Sequence, residues 1–376
     1  MIPYIVLYIV NMLFAFVAEQ YFSRKNMIYY ISMFLIVICN AVILGMRDFG
    51  VGIDTTVYID DYFLTSQNVH TIRSLFLYDD YDKGYLLLAK ISRLFSYNSQ
   101  SLLVVTELFI MFFTIWGIHG YKEKLGINIP MFLTLYWLIF LCHSLNLMRQ
   151  YCAISLLFWG FSQYLSQKKI IYVISQLLAF FLHSSSLIFV LVPFFYELSS
   201  LKSERIKWGV LLSIVVMIFL GIYFFHNMLS MITDYHIMAD VYATRYGEDS
   251  IYATTSGLVK WGIRDVVLKL IPLIILLITY KKEKISSREF FYVLSLFVVS
   301  FSIEQVRYVM FYMFRLAHYV SIVFFIYFTK IILEKKVPVF WKYMYFSVLI
   351  ITFYIVFMKE SPAGWSYSYK SKILGI

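Results

Sequence analysis

The chain has few charged residues for its length. Of its 376 residues, 14% are charged and 61% are hydrophobic, whereas a soluble domain has about 25% charged residues. This shortage of charge excludes an ordinary soluble enzyme. No separate soluble domain, tandem repeat or low-complexity linker is visible in the sequence. The composition therefore predicts an all-α polytopic membrane protein, with residues 1–376 forming a single transmembrane domain.

Short catalytic motifs and cysteine patterns are also missing. Cys39, Cys142 and Cys152 lie in apolar segments and have the spacing of neither a disulfide framework nor a metal site. No GxSxG, HExxH, CxxC or P-loop pattern occurs, so serine-hydrolase, metalloprotease and ATPase chemistry has no support. We expect no cofactor and no metal ion. A metal held by acidic residues between 47 and 100 is the less favoured alternative.

Long apolar runs fill most of the sequence, and a transmembrane helix needs about 20 such residues. The first run is too long for a signal-peptide core and no positive segment precedes it, so we interpret it as the first span. The stretch 170–197 is long for one helix, and His183 and three serines interrupt it. The other candidate spans are 2–22, 27–46, 101–118, 128–145, 147–165, 208–226, 265–280, 289–303, 309–329 and 339–357.

Basic residues in the connections set the orientation, because cytoplasmic loops are rich in lysine and arginine. All the short basic connections fall on the cytoplasmic side if the stretch 170–197 crosses twice and turns at His183. Its legs, 170–182 and 187–198, would each be about 20 Å long. This arrangement predicts about twelve crossings. It also accounts for the net charge of +10 by loop lysines, so we expect no nucleic-acid partner.

The same arrangement leaves two long segments on the outer side, at 47–100 and 227–264. The first is acidic. Within it, residues 85–95 have the pattern of an amphipathic helix that lies on the outer membrane surface.

A few charged residues lie inside the apolar runs or at their ends. A charge inside a bilayer is costly and indicates a functional site. The predicted topology brings Arg47, Arg149, Arg315 and His183 to the outer side. Arginine offers a planar fork of donors that suits phosphate oxygens, so these residues predict a polar cavity for an anionic ligand.

Each of these residues also has a structural interpretation. Arg47 could form an ion pair within its loop, and Arg149 could snorkel to the membrane surface. Arg149 shares one helix face with Asn146 and Gln150 by i, i+3, i+4 spacing, which favours a binding role. His183 could be a hydrogen-bonded core residue, or a base, since imidazole titrates near neutral pH.

Arg315 lies on one predicted helical stripe with Glu304, Arg307 and His318. Its structural alternative is an intramembrane ion pair with Glu107 or Glu304. Further candidate substrate contacts on the outer side are Tyr58, Arg245 and Arg264.

Four short motifs occur in a characteristic order. They are R-D-x-G-V-G-x-D-T-x-x-Y from Arg47, D-K-G-Y-L-L-L from Asp82, N-x-x-R-Q from Asn146 and H-S-S from His183. Over about residues 1 to 330 the chain resembles the EpsG-like family, the Wzy-type polymerases of bacterial exopolysaccharide, capsule or O-antigen. That family often has glutamate where Asp82 stands here, which keeps the charge.

The resemblance implies a GT-C-like fold and a glycosyltransferase in the bacterial cytoplasmic (inner) membrane, with its active site facing outward. The enzyme would join undecaprenyl-diphosphate-linked oligosaccharide repeats and release undecaprenyl diphosphate. Donor and acceptor would both be lipid-linked. Membrane lipids, a flippase and a chain-length regulator are further expected partners.

For this chemistry we predict that Arg149, His183 and Asp54 are catalytic, with His183 or Asp54 as the base. The predicted diphosphate or substrate contacts are Arg47, Asn146, Gln150, Arg245, Arg264, Arg307, Arg315, His318 and Tyr58. Two alternatives stay open: a transporter or flippase of lipid-linked oligosaccharide, and a membrane O-acetyltransferase. Charges gathered on one face argue against the first, and short cytoplasmic loops argue against the second.

Overall fold

The computed structural model is all-α. It describes residues 2–78, 81–234, 263–282, 285–305, 311–333, 337–358 and 367–375. Within these ranges the helices are α1 (Ile2–Tyr21), α2 (Met27–Gly45), α3 (Ile53–Thr65), α4 (Ile72–Leu75), α5 (Lys83–Ser92), α6 (Gln100–Leu125), α7 (Ile129–Ile139), α8 (Leu141–Asn146), α9 (Met148–Leu165), α10 (Lys169–Leu182), α11 (Leu191–Leu198), α12 (Glu204–Asp234), α13 (Ile263–Lys281), α14 (Ser287–Gln305), α15 (Ala317–Leu333) and α16 (Val339–Met358).

The apolar runs of the sequence coincide with these helices. Helices α1, α2, α6 and α9 lie where spans were predicted, and α5 covers most of the amphipathic helix predicted over 85–95. Its location on the outer membrane surface stays a prediction. The span predicted over 128–145 is divided at Phe140 into two helices, α7 and α8, although the backbone of Phe140 stays in the right-handed helical region, with φ −105° and ψ −21°. The span predicted over 309–329 begins with a 3₁₀ turn, Phe311–Leu316, before α15.

Four helices of the described chain are long and apolar enough to cross a membrane: Ile2–Arg24, Met27–Gly45, Gln100–Leu125 and Phe314–Leu333. Shorter apolar helices accompany them. These features are those of a multi-pass membrane protein. The figure of about twelve crossings and the GT-C-like fold stay predictions.

The predicted break at His183 is confirmed. Helix α10 ends at Leu182, and the backbone of His183 is extended, with φ −165° and ψ 118°. The side-chain amide of Gln176 donates to the carbonyl of Ser186 at 3.1 Å. A continuous helix would separate these residues by about 15 Å, so the chain reverses direction here.

The described chain forms two compact units, Met1–Leu187 with Phe346–Ile376, and Ile188–Tyr345. In the first unit, α6 packs against α2, α9, α5 and α3. Gly45 and Gly117 allow this close packing, because a Cβ on either would lie 2.6 Å or less from an atom of the neighbouring helix. Asn11 and Asn40 join α1 to α2 by reciprocal amide hydrogen bonds of 3.2 and 3.0 Å.

Basic residues gather at one end of the first unit. Lys25 pairs with Glu123, and Lys122 pairs with Glu19. The end of α9 lies there too, because a Cβ on Gly120 would meet the Ser162 side chain. The loops that follow α1, α6 and α9 therefore share one end, as the predicted topology requires for the cytoplasmic side.

In the second unit, α14 packs against α12, α13 and α15. Ion pairs connect its helices, Lys330 to Glu289 at 2.8 Å and Lys269 to Glu304 at 2.5 Å. Glu304, one of the partners considered for Arg315, thus contacts Lys269.

Candidate functional site

Four segments of the first unit meet at the end opposite its basic loops. They are the loop and helix after α2, the start of α5, the start of α9 and the end of α10. Gly52 makes the turn into α3: its φ is +94°, and a Cβ there would lie 2.9 Å from the carbonyl oxygen of Leu145. Only glycine adopts this backbone at low cost, which explains the second glycine of the G-V-G motif.

Arg149 is at the centre of this meeting point. Its Nη1 donates to a carboxylate oxygen of Asp82 at 2.8 Å and to the hydroxyl of Tyr62 at 2.7 Å. Its guanidinium carbon lies 4.0 Å from the centre of the Tyr58 ring. Two tyrosines spaced by four residues on α3 thus present one helix face to the arginine. The Arg149 side chain is still 23% exposed, so a ligand can reach it.

Asp82 joins the arginine to the histidine. The carboxylate oxygen that pairs with Arg149 also lies 3.8 Å from Nδ1 of His183. That distance exceeds a hydrogen bond, but catalytic hydrogen bonds often tighten when substrate binds. The side chains of Asp82 and His183 are 19% and 29% exposed. Asp82, Arg149 and His183 thus form one accessible charged cluster, called the outer cluster below.

Tyr62 contacts two residues of the outer cluster, Arg149 and Asp82, through its hydroxyl. Its hydroxyl accepts from Arg149 and from the backbone N–H of Asp82, the latter at 3.0 Å. Burial raises the pKa of Tyr62 to about 12, against the opposing effect of the nearby Arg149 charge. The hydroxyl therefore stays protonated at neutral pH and positions both charged residues as a neutral group.

Gly84 brings the start of α5 against the end of α10. A Cβ at this position would lie 2.8 Å from the carbonyl carbon of Phe181 and 2.9 Å from the nitrogen of Leu182. Both atoms are backbone and cannot rotate away. The glycine of D-K-G-Y is therefore what allows Asp82 to approach His183.

Replacing Gly84 with alanine is expected to lower the free energy of unfolding by about 1–3 kcal/mol, the typical cost of overpacking. Thermal melting of the protein purified in detergent measures this. Gly50→Ala is the matched control, since a Cβ there meets no atom within 4 Å. Equal melting of the two variants would contradict the close approach.

Arg47 is part of the interior. Its side chain is 0% exposed. It forms an ion pair of 2.8 Å with Glu107, whose side chain is 1% exposed. An arginine has five N–H donors, and Arg47 makes five hydrogen bonds to atoms of the described residues. Their acceptors are the Glu107 carboxylate, the carbonyls of Leu44, Val51 and Leu145, and the Met148 sulfur. Through these bonds Arg47 joins α2, α6 and the start of α9. Its N–H donors are directed at these protein atoms and not at the outer cluster.

The last described segment, 367–375, covers the loop around Arg47. The Tyr369 hydroxyl donates to the carbonyl of Ile43, and the Ser371 hydroxyl to that of Met46, both at 2.6 Å. The backbone N–H of Asp48 donates to the carbonyl of Lys370 at 2.7 Å. The tail thus satisfies carbonyls at the end of α2 that the helix leaves without an internal partner.

The helix face predicted for Asn146, Arg149 and Gln150 needs correction. Helix α8 ends at Asn146 and α9 begins at Met148, because Leu147 between them has non-helical dihedral angles, φ −92° and ψ 47°. The i, i+3 relation across that break does not hold. Asn146 and Gln150 are 8% and 4% exposed, well below Arg149.

The stripe predicted for Glu304, Arg307, Arg315 and His318 is also wrong as a single helix. Arg315 lies in the 3₁₀ turn Phe311–Leu316 before α15, where the residue spacing of an α-helix does not apply. Arg315 is half-buried and His318 is buried in the second unit. Arg245 and Arg307 lie outside the described residues, as do the side chains of Asp54 and Arg264.

Two residues of this site were not among the predicted contacts. Asp82 appeared only within a motif; it occupies the N-cap position of α5, where aspartate is common for structural reasons, so its position alone did not indicate a site. Tyr62 was missed, although it follows the predicted Tyr58 by one helical turn. Among the described residues, no group of three or more His, Cys, Asp or Glu side chains is arranged to hold a metal ion.

The fold and the site together define a multi-pass, all-helical membrane protein with a charged cluster at one end of its helices. A model of the EpsG family matches residues 27–371. The chain therefore belongs to the EpsG family, whose members are Wzy-type polysaccharide polymerase-like proteins. This confirms the resemblance seen in the motifs, and the match extends past residue 330 into the tail that covers Arg47. No curated protein and no solved structure matches the chain.

Proposed function

We propose that this protein is a glycosyltransferase that joins undecaprenyl-diphosphate-linked oligosaccharide repeats on the outer face of the cytoplasmic membrane. The observation that carries the proposal is the outer cluster: an accessible arginine paired with a carboxylate that also lies 3.8 Å from an accessible histidine. Family membership supports the polymerase class. A lipid diphosphate supplies the anion that an arginine at this end of the helices would bind.

In the proposed reaction, a hydroxyl of the acceptor repeat attacks the anomeric carbon of the donor sugar. The bond from that carbon to the diphosphate oxygen breaks, and undecaprenyl diphosphate leaves with the electron pair. Negative charge grows on the diphosphate as this bond breaks, so a cation placed there stabilises mainly the transition state. We assign this role to Arg149, with Tyr58 beneath its guanidinium plane.

His183 is the proposed base that takes the proton of the acceptor hydroxyl. Asp82 lies on its Nδ1 side, so the carboxylate would orient the imidazole and stabilise its protonated form, leaving Nε2 to face the hydroxyl. No cofactor is part of this proposal. Arg47, with its donors directed at protein atoms, would support the start of α9 rather than bind phosphate.

The proposal predicts a ladder of products when purified protein in proteoliposomes is given labelled lipid-linked repeats. Arg149→Ala and His183→Ala are each expected to slow ladder formation by about 100-fold or more. His119→Ala, in the basic end of α6, is the control and should keep the wild-type rate. Movement of label across the bilayer without a ladder would instead identify a transporter.

A further inference from the structure

A shallow groove of about 690 Å³ lies between α3 and the turn before α6. Ligand sites in proteins commonly have volumes of about 300–1,000 Å³. Asp60, Phe63 and Gln67 line one wall, and Tyr97 and Asn98 line the other. Because residues in a helix are about 100° apart, Asp60 projects from the side of α3 opposite Tyr58. The groove is therefore separate from the outer cluster and lies about one helix diameter, ~10 Å, from it.

The groove has an aromatic surface available for stacking. The Tyr97 side chain is 88% exposed. The Arg93 guanidinium carbon lies 5.8 Å from the centre of the Tyr97 ring and 4.8 Å from that of Phe63. Arg93 also donates to the carbonyl of Phe63 at 3.5 Å. These contacts connect the segment that carries Tyr97 to α3, so the two walls are held together.

The polar groups of the groove include an acid, two amides and the hydroxyls of Ser96 and Ser99. Asp60, Gln67 and Asn98 are exposed, and between them they offer both acceptors and donors of hydrogen bonds. The side-chain oxygen of Asn98 accepts from the backbone N–H of Gln100 at 2.9 Å, which fixes the turn. A carboxylate in the lining disfavours a phosphate, in contrast to the arginine of the outer cluster.

We infer that this groove binds the sugar chain of the lipid-linked substrate, a few sugar residues from the bond that reacts. This inference rests on the proposed function. A sugar ring presents an apolar face to an aromatic ring and a rim of hydroxyls to carboxylate and amide groups, which is the set of groups present here. The groove would hold the glycan while the outer cluster holds the diphosphate.

The test uses the full-length protein in detergent and, as probe, lipid-free oligosaccharide obtained by partial hydrolysis of the polysaccharide that the producing cells make. Binding is measured by calorimetry. Tyr97→Ala and Asp60→Asn are each expected to weaken binding by about tenfold, as for an interface anchor. Leu94→Ala is the matched control, because Leu94 is 79% exposed and only three residues from Tyr97. It should leave the dissociation constant unchanged.

Wild-type affinity in both the Tyr97 and Asp60 variants would overturn the inference, and so would a wild-type protein that binds no oligosaccharide at millimolar concentration. The inference would also be overturned if Tyr97→Ala polymerised more slowly in vesicles but bound the oligosaccharide with wild-type affinity. Tyr97 would then be a membrane-surface anchor. Tyr97-dependent binding without any product ladder would support the groove and contradict the proposed polymerase. A product ladder together with oligosaccharide binding that does not depend on Tyr97 would contradict the groove inference and leave the proposed polymerase intact.

Discussion

Asp82→Asn is expected to slow polymer formation by about 100-fold or more, the usual contribution of a positioned acid–base group. The carboxylate pairs with Arg149 at 2.8 Å and faces His183 at 3.8 Å. Asparagine keeps the size of the side chain but removes the negative charge that pairs with Arg149 and faces His183. The rate of ladder formation in proteoliposomes measures the effect, and thermal melting shows whether the variant is folded.

Two matched controls separate a role in catalysis from general damage. Asp82→Glu keeps the charge and should retain most of the activity. Asp61→Asn removes a neighbouring carboxylate that accepts from the Tyr81 hydroxyl, and it should leave the rate unchanged. An Asp82→Asn protein that melts normally and polymerises at the wild-type rate would remove Asp82 from the proposed mechanism.

Glu107→Gln is expected to destabilise the protein by about 3–5 kcal/mol, because removal of one partner leaves a buried charge uncompensated. Arg47 and Glu107 are 0% and 1% exposed, so water cannot solvate the remaining guanidinium. We expect a large fall in the melting temperature of the protein in detergent and a low yield of folded protein.

Glu123→Gln is the control for this change, since it lies in the same helix and pairs with Lys25 at the surface. Exposed ion pairs contribute little, so its melting temperature should stay near that of the wild type. The double variant Arg47→Met, Glu107→Leu should recover part of the stability, but not all, because three backbone carbonyls lose their donor. A Glu107→Gln protein that melts normally but no longer binds undecaprenyl diphosphate would return Arg47 to the substrate site.

Much of the fold was predictable from the sequence because it depends on local hydrophobicity. An apolar run of about 20 residues has few alternatives to a helix in a membrane, since the backbone must satisfy its own hydrogen bonds there. The reversal at His183 was predictable from the charges of the flanking loops. The break at Leu147 was predictable as well, since the candidate spans 128–145 and 147–165 are separate. The division at Phe140 was not, because it lies within apolar sequence that has no nearby proline or glycine.

Three residues of the candidate site were predictable from the sequence, whereas Asp82 and Tyr62, which join them, were not predicted as contacts. Arg149, His183 and Tyr58 were predicted and do meet. Asp82, which connects them, is 67 residues before Arg149 in the chain. Contacts over such distances depend on how α5 packs between α3, α6 and α10, and no local pattern encodes that packing.

The sequence by itself determined the class of protein, the positions of its helices and its family, because hydropathy and the order of motifs are properties of the linear chain. The tertiary structure alone decided what each charge does. Arg47 and Arg149 have the same side chain near the end of an apolar run, yet the first is enclosed with Glu107 and the second is partly exposed beside Asp82. The difference lies in which helices surround each arginine, since burial and neighbouring groups determine whether its donors meet protein or remain accessible to a ligand.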